Sequence, residues 1–159
     1  MPLIERFIEL LKVRYGDRLI SVCLFGSIAR GDFKPSSDID LLIVIDDLPE
    51  DLGSRFTEMF KVKREVRRSS EYRKLVEEGL PRLISEVVLT PSEVAKHPPI
   101  LLDLIFDGEI LYDKSGFLKR ELEALRRKLE GMGARRVRSR RGWYWILKPD
   151  IKFGEVVEF

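Results

Sequence analysis

Two apolar, β-branched runs, Leu19–Phe25 and Ile39–Ile45, lie close together in this 159-residue chain, and the segment between them opens on a glycine, Gly26. Both runs read as buried strands, rich in β-formers and bounded by turn residues. Pairing them in parallel would require a crossover of about a dozen residues or more, normally a whole helix. The segment Gly26 to Ser37 has room only for one short helix and a turn at Asp32-Phe33-Lys34-Pro35. The second strand is therefore expected to return beside the first.

The flanking sequence adds helices and strands in alternation. Leu3, Ile4, Phe7, Ile8, Leu10 and Leu11 recur at helical spacing and predict a first helix that Gly16 ends. Glu50 to Gly79 is charged and helical, with Phe56, Met59, Phe60 and Val62 as the expected inward positions. Arg82 to Thr90 reads as a third strand. A helix opens at Pro91, with proline in its first turn, and breaks at Pro98-Pro99. Ile100 to Phe106 then gives another short helix and Glu109 to Tyr112 a short strand. Gly116 to Leu129 predicts an amphipathic helix with Leu118, Leu122, Leu125 and Leu129 on one stripe. The tail from Trp143 to Phe159 reads as short strands or an extended edge. The order implies an α/β (or α+β) fold with one mixed β-sheet flanked by helices in a single compact domain.

Composition narrows the function classes. Lys and Arg number 29 against 27 Asp and Glu, so bulk charge does not make this a polyanion binder, and any nucleic-acid contact must come from a local patch. No apolar run approaches the ~18 residues of a membrane span. The start, MPLIERFIEL, is amphipathic and carries acid, unlike a secretory signal or transit peptide. A single cysteine, Cys23, excludes a disulfide framework, and a single histidine, His97, excludes most His-built metal sites. Cytosol is the default address. Asn and Gln are both missing while Glu, Lys and Arg abound, the compositional mark of a hyperthermophile protein.

The chemistry concentrates in GSIARGDFKPSSDIDL, residues 26–41. A strand ends at a Gly-Ser turn that opens a helix. Gly26 lets backbone approach a phosphate closely, Ser27 adds a hydroxyl, and free amides at the helix start add partial positive charge. Asp38 and Asp40 are two apart on a strand, so both carboxylates project from one face. Two carboxylates beside an anion cradle suit Mg²⁺, whose octahedron takes a few carboxylates together with water and phosphate oxygens. Apolar flanks make the pair costly without a compensating cation. Arg30 points at phosphate or pairs with Asp32 or Asp38 to brace the turn. Cys23 reads as a core residue and His97 as a helix-end cap.

The Gly-Ser, ten intervening residues and Asp-x-Asp resemble the signature of the DNA polymerase beta-type nucleotidyltransferase superfamily. The fuller string and the compact length resemble the minimal nucleotidyltransferases (MNT) of archaea and bacteria, as does the tail Trp143-Tyr144-Trp145…Lys148-Pro149-Asp150. The resemblance implies one nucleotidyltransferase-like domain over 1–159, with a catalytic core at 15–113 and a C-terminal helix plus short strands at 114–159. It implies an enzyme that moves a nucleoside monophosphate, AMP first, from NTP to an acceptor hydroxyl and releases pyrophosphate. Gly26 and Ser27 would hold the triphosphate of ATP or another NTP. Asp38 and Asp40 would coordinate two divalent metals, Mg²⁺ or Mn²⁺. A third carboxylate usually comes from the neighbouring strand, and Glu86 is the best match; the alternative is an edge-strand glutamate with no part in the site. If Glu86 faces away, transfer is expected to be poor.

The resemblance further implies a separate HEPN-type partner protein, a toxin to which this chain, as antitoxin, would attach AMP at a tyrosine. A different class of function is a binding module that keeps the cradle but serves as an adaptor. A third is an RNA-directed transferase using the basic run Arg135–Arg141, which leads into Trp143-Tyr144-Trp145. The same run equally suits a strand edge protected by charge. A homo-oligomer is compatible with the sequence, which does not specify one.

Overall fold

The computed structural model describes residues 1–139, 142–152 and 154–159. Helix α1 (Pro2–Tyr15) ends at Gly16, whose φ of 52° turns the chain toward strand β1 (Leu19–Phe25). The short helix α2 (Gly26–Arg30) follows directly, and β2 (Ile39–Ile45) returns antiparallel to β1, from Leu19 opposite Ile45 to Phe25 opposite Asp40. The later elements are α3 (Leu52–Val66), α4 (Ser70–Glu77), β3 (Ile84–Leu89), α5 (Pro91–Val94), α6 (Ile100–Asp107), β4 (Glu109–Asp113) and α7 (Phe117–Gly131). The sheet runs β3-β2-β1-β4 and is mixed, with β3 parallel to β2 and β4 antiparallel to β1.

Residue parity along β2 separates two cores. Ile39, Leu41, Ile43 and Ile45 face α1, α3 and α4, together with Phe7, Leu11, Met59 and Val62. Leu42 and Val44 face α5, α6 and α7, together with Cys23, Leu101, Leu104, Leu118 and Leu125. Cys23 is fully buried, and that burial pushes its thiol up to about 12. Two helical layers therefore cover both faces of the central strands, which explains why β1 and β2 read as near-continuous apolar runs.

Three features differ from the sequence expectation. The charged helix expected over residues 50–79 is two helices, because the Ser69 hydroxyl accepts from the Tyr72 amide and starts α4 anew. Phe56 and Phe60, expected inward, are 64% and 46% exposed. Their place on the inner face is taken by Arg55, whose guanidinium grips Glu93 at 2.8 and 3.1 Å and thereby ties α3 to the capping box of α5. The short strands expected near the C-terminus are present as β5 (Arg135–Ser139) and β6 (Gly142–Ile146), but they pair in a second sheet where one mixed sheet was expected. Arg140 and Arg141 of the basic run lie outside the described residues. Among the described residues, no helix is long and apolar enough to cross a membrane.

Candidate active site

The first strand hands over to α2 at Gly26, and the antiparallel register sets Asp40 beside that handover. The approach is so close that a Cβ on Gly26 would stand 2.3 Å from Asp40 Oδ2, and Gly26 also has a φ of 74°. Only glycine satisfies both conditions. No side chain caps α2 at Phe25, and Ser27 beside it is half-buried. Ser37 accepts from the Lys34 amide at 2.9 Å and shapes the turn that delivers Asp38 and Asp40 to β2.

Asp40 lies on β2 and Asp38 just before it, near enough for the two carboxylates to repel one another. Burial, and next the neighbouring Asp38 carboxylate, raise Asp40 above its ordinary carboxylate value, while the Ser85 hydroxyl and the Arg30 charge pull it back. Two like charges beside a glycine cradle fit a divalent cation, which would offset the repulsion that Asp40 carries. Among the described residues, no group of three His, Cys, Asp or Glu side chains is placed to hold a metal.

The structure does not set Glu86 beside Asp40, although Glu86 and Asp38 line one cavity. Parallel register sets Asp40 against Ser85 and Leu41 against Glu86. Glu86 thus shares the face of Leu41, where its side chain is only 7% exposed and meets the Lys63 ammonium at 2.8 Å. Ser85 is the β3 residue that reaches Asp40. Sequence reasoning missed Ser85 because the parity of β3 relative to β2 follows from their pairing, which neither strand's own sequence encodes.

The nucleotidyltransferase domain family matches residues 4–128 of the chain. The chain belongs to that family. Its relatives include MJ1305 of Methanocaldococcus jannaschii, whose name assigns it provisionally to the protein adenylyltransferases; it is 30% identical over 129 residues, 78% of this chain and 79% of that one. Among solved structures, one chain of a toxin-antitoxin complex crystallised with AMP-PNP aligns over 81% of this chain and 91% of its own, at 14% identity and a TM-score of 0.49. A second, from a complex of tri-AMPylated Shewanella oneidensis HEPN toxin with MNT antitoxin, aligns over 82% of this chain and 92% of its own, at 11% identity and a TM-score of 0.43.

In this nucleotidyltransferase the remaining residue of interest at the corner, Arg30, braces more than it was expected to. Its Nε donates to Asp32 at 3.2 Å and its Nη1 to Asp107 at 3.3 Å. Asp107, at the end of α6, also takes a fork of two bonds from Arg136 of β5, at 3.0 and 2.6 Å. The Arg136 and then the Arg30 bonds hold the Asp107 carboxyl below its ordinary value. Arg136 lies 5.3 Å from the Phe106 ring centre and 4.7 Å from that of Trp143. One arginine of the basic run is thus committed inside the molecule, linking the C-terminal hairpin to α2. Nothing in the local sequence marks Asp107 for that role.

Proposed function

We propose that this nucleotidyltransferase moves AMP from ATP to a hydroxyl of a partner protein. The observation that carries the proposal is the packing of the Asp40 carboxylate directly on the Gly26 backbone, with the Asp38 carboxylate close by. That contact fixes an anion-binding turn against two acids, the combination that a metal-bound triphosphate needs. Asp38 and Asp40 would hold Mg²⁺ or Mn²⁺, and Gly26 and Ser27 would hold the triphosphate, with Arg30 adding positive charge nearby. The bound cation supplies charge neutralisation on the phosphate oxygens. The chain's own part is to orient: α2 fixes the phosphates, and β2 fixes the acids relative to them.

A protein acceptor is supported by the MJ1305 name, and a HEPN-type toxin by the AMPylated partner in the Shewanella complex. A second reading is favoured by Ser85 standing where a third carboxylate would serve: a nucleotide-holding module whose transfer is slow. An RNA acceptor is less favoured, because Arg136 is spent on Asp107.

Calorimetric titration of Mg-ATP into the wild type and into Asp38→Ala/Asp40→Ala, with and without EDTA, tests the site. Binding is expected to need the metal and to vanish in the variant. Transfer is then read with α-labelled ATP. Failure of the wild type to bind any of the four NTPs with either metal would sink the reading of an autonomous enzyme.

A further inference from the structure

We propose that the cavity between α3, α4 and the edge strand β3 is the acceptor site, and that it takes an acidic protein segment carrying the hydroxyl. The inference rests on the transferase reading above and names the chemistry of its acceptor. The cavity has a volume of about 430 Å³ and is lined by Lys63, Arg67, Tyr72 and Arg82, with Phe56 on its rim and Asp38 also on its wall.

Its position is what the reaction requires. Across the sheet the order is β1, β2, β3. Gly26 and Ser27 stand at the end of β1, the two acids at the start of β2, and the cavity along β3, reaching as far as Asp38. A triphosphate on α2 and a hydroxyl in the cavity would therefore approach the carboxylate pair from opposite sides. Phosphoryl transfer needs this arrangement, because attacking and leaving oxygens lie roughly in line. The acceptor oxygen bonds to the α-phosphorus as the bond to the bridging oxygen breaks. Pyrophosphate leaves with that electron pair, and the hydroxyl proton passes to water.

The lining selects the acceptor's charge. Lys63 is already neutralised by Glu86. Arg67 and Arg82 make no ion pair among the described residues, and Arg82 reaches only the Leu80 carbonyl, at 3.5 Å. Two unpaired guanidiniums in one cavity favour carboxylates on whatever enters. The rim selects a protein over a nucleic acid. Leu52 is 75% exposed and Leu83 50%, and Phe56 and Phe60 stack with ring centres 6.4 Å apart. Leu52, Phe56 and Phe60 recur every fourth residue along α3, giving an outward apolar stripe that leads to the cavity. An acidic segment with an apolar flank complements both features, whereas a polynucleotide leaves the aliphatic part of the stripe uncovered.

The test uses the full chain with α-labelled ATP and Mg²⁺, and three probes: a glutamate–tyrosine random copolymer, a lysine–tyrosine random copolymer and an oligo(A) RNA. Wild type is expected to label the acidic copolymer and not the basic one. Arg67→Glu/Arg82→Glu is expected to lower that labelling by about tenfold or more, with Mg-ATP affinity unchanged by calorimetry. The unchanged affinity shows that the variant is folded; should it fail to fold, Arg67→Ala alone is read the same way. Equal labelling of both copolymers, or an arginine variant as active as wild type, overturns the proposal and leaves the transferase reading intact. Label on the RNA alone reassigns the cavity and overturns it too. Mg-ATP binding with no probe labelled overturns the acidic acceptor, and absence of Mg-ATP binding removes the transferase reading and this inference with it.

Discussion

The two faces of β2 differ most at the candidate active site. On one face Ile39, Leu41, Ile43 and Ile45 are closed over completely by α1, α3 and α4. On the other, Leu42 and Val44 are equally buried, but the row begins with Asp40. The same alternation continues on β3, where Glu86 joins the closed face and Ser85 the open one. A strand buried on both sides can thus carry candidate catalytic acids where one row runs past the helices that cover it. An acid on the other row must instead be neutralised internally, as Glu86 is by Lys63.

Gly26→Ala strikes the open face hardest. The new Cβ collides with Asp40 and the backbone keeps a left-handed φ, so AMP transfer is expected to fall by about 100-fold. Fold stability should drop by about 1–3 kcal/mol in denaturant titration. A variant with full nucleotide affinity would show that the Gly26–Asp40 contact is not what shapes the site.

Glu86→Gln addresses the closed face. It leaves Lys63 without its partner in a largely enclosed position, and the expected loss is about 2 kcal/mol of stability, below the ~3–5 kcal/mol of a fully buried pair. Mg-ATP affinity should not move. If calorimetry shows the affinity falling with the substitution, Glu86 acts in the site after all, and the division between the faces fails.

Ser85→Asp would sharpen the contrast by placing a third acid beside Asp40. Mn²⁺ binding, read by titration in the presence of ATP, is expected to tighten by about tenfold, since ligand charge tunes the affinity of such sites. No change would mean that the Ser85 side chain does not reach the ion.

The smallest effect concerns pH. Asp40 has a folded pKa raised above its ordinary 3.8, mainly by burial and then by Asp38. The folded state therefore prefers the proton, and without a cation stability is lost as pH rises through that raised value, the penalty being complete above it. Asp40→Asn should accordingly raise the metal-free unfolding temperature at neutral pH, with the difference fading below about 3.8. Divalent binding to the wild type should weaken as pH falls through the same window, because the proton competes for the ligand. A variant no more stable than wild type at neutral pH would count against the strained pair.

Much of this was legible in the sequence, and the remainder was hidden for identifiable reasons. Leu19–Phe25 and Ile39–Ile45 match the strands residue for residue because glycine and charged residues bound runs that only Ser21 and Asp40 interrupt. The acid pair and the Gly-Ser turn stood out because their spacing is set inside one short connection. Phe56 and Phe60 were misplaced because a buried arginine, Arg55, takes the position an apolar side chain would be expected to hold, and its partner Glu93 is remote in sequence. Ser85 and Asp107 matter only through pairing across strands and helices, which local pattern does not record.

The split between a local corner and a remote cavity also bears on how the chain reaches its fold. Everything from Leu19 to Ile45 closes within one stretch, with an antiparallel return and a short connection. The edge strand joins in parallel only after α3 and α4 have been traversed, so its contacts carry a long loop closure and form late. A chain emerging from the ribosome would thus have the Gly-Ser turn and the two acids in hand before α3, α4 and β3, which line most of the proposed acceptor cavity, have been synthesised.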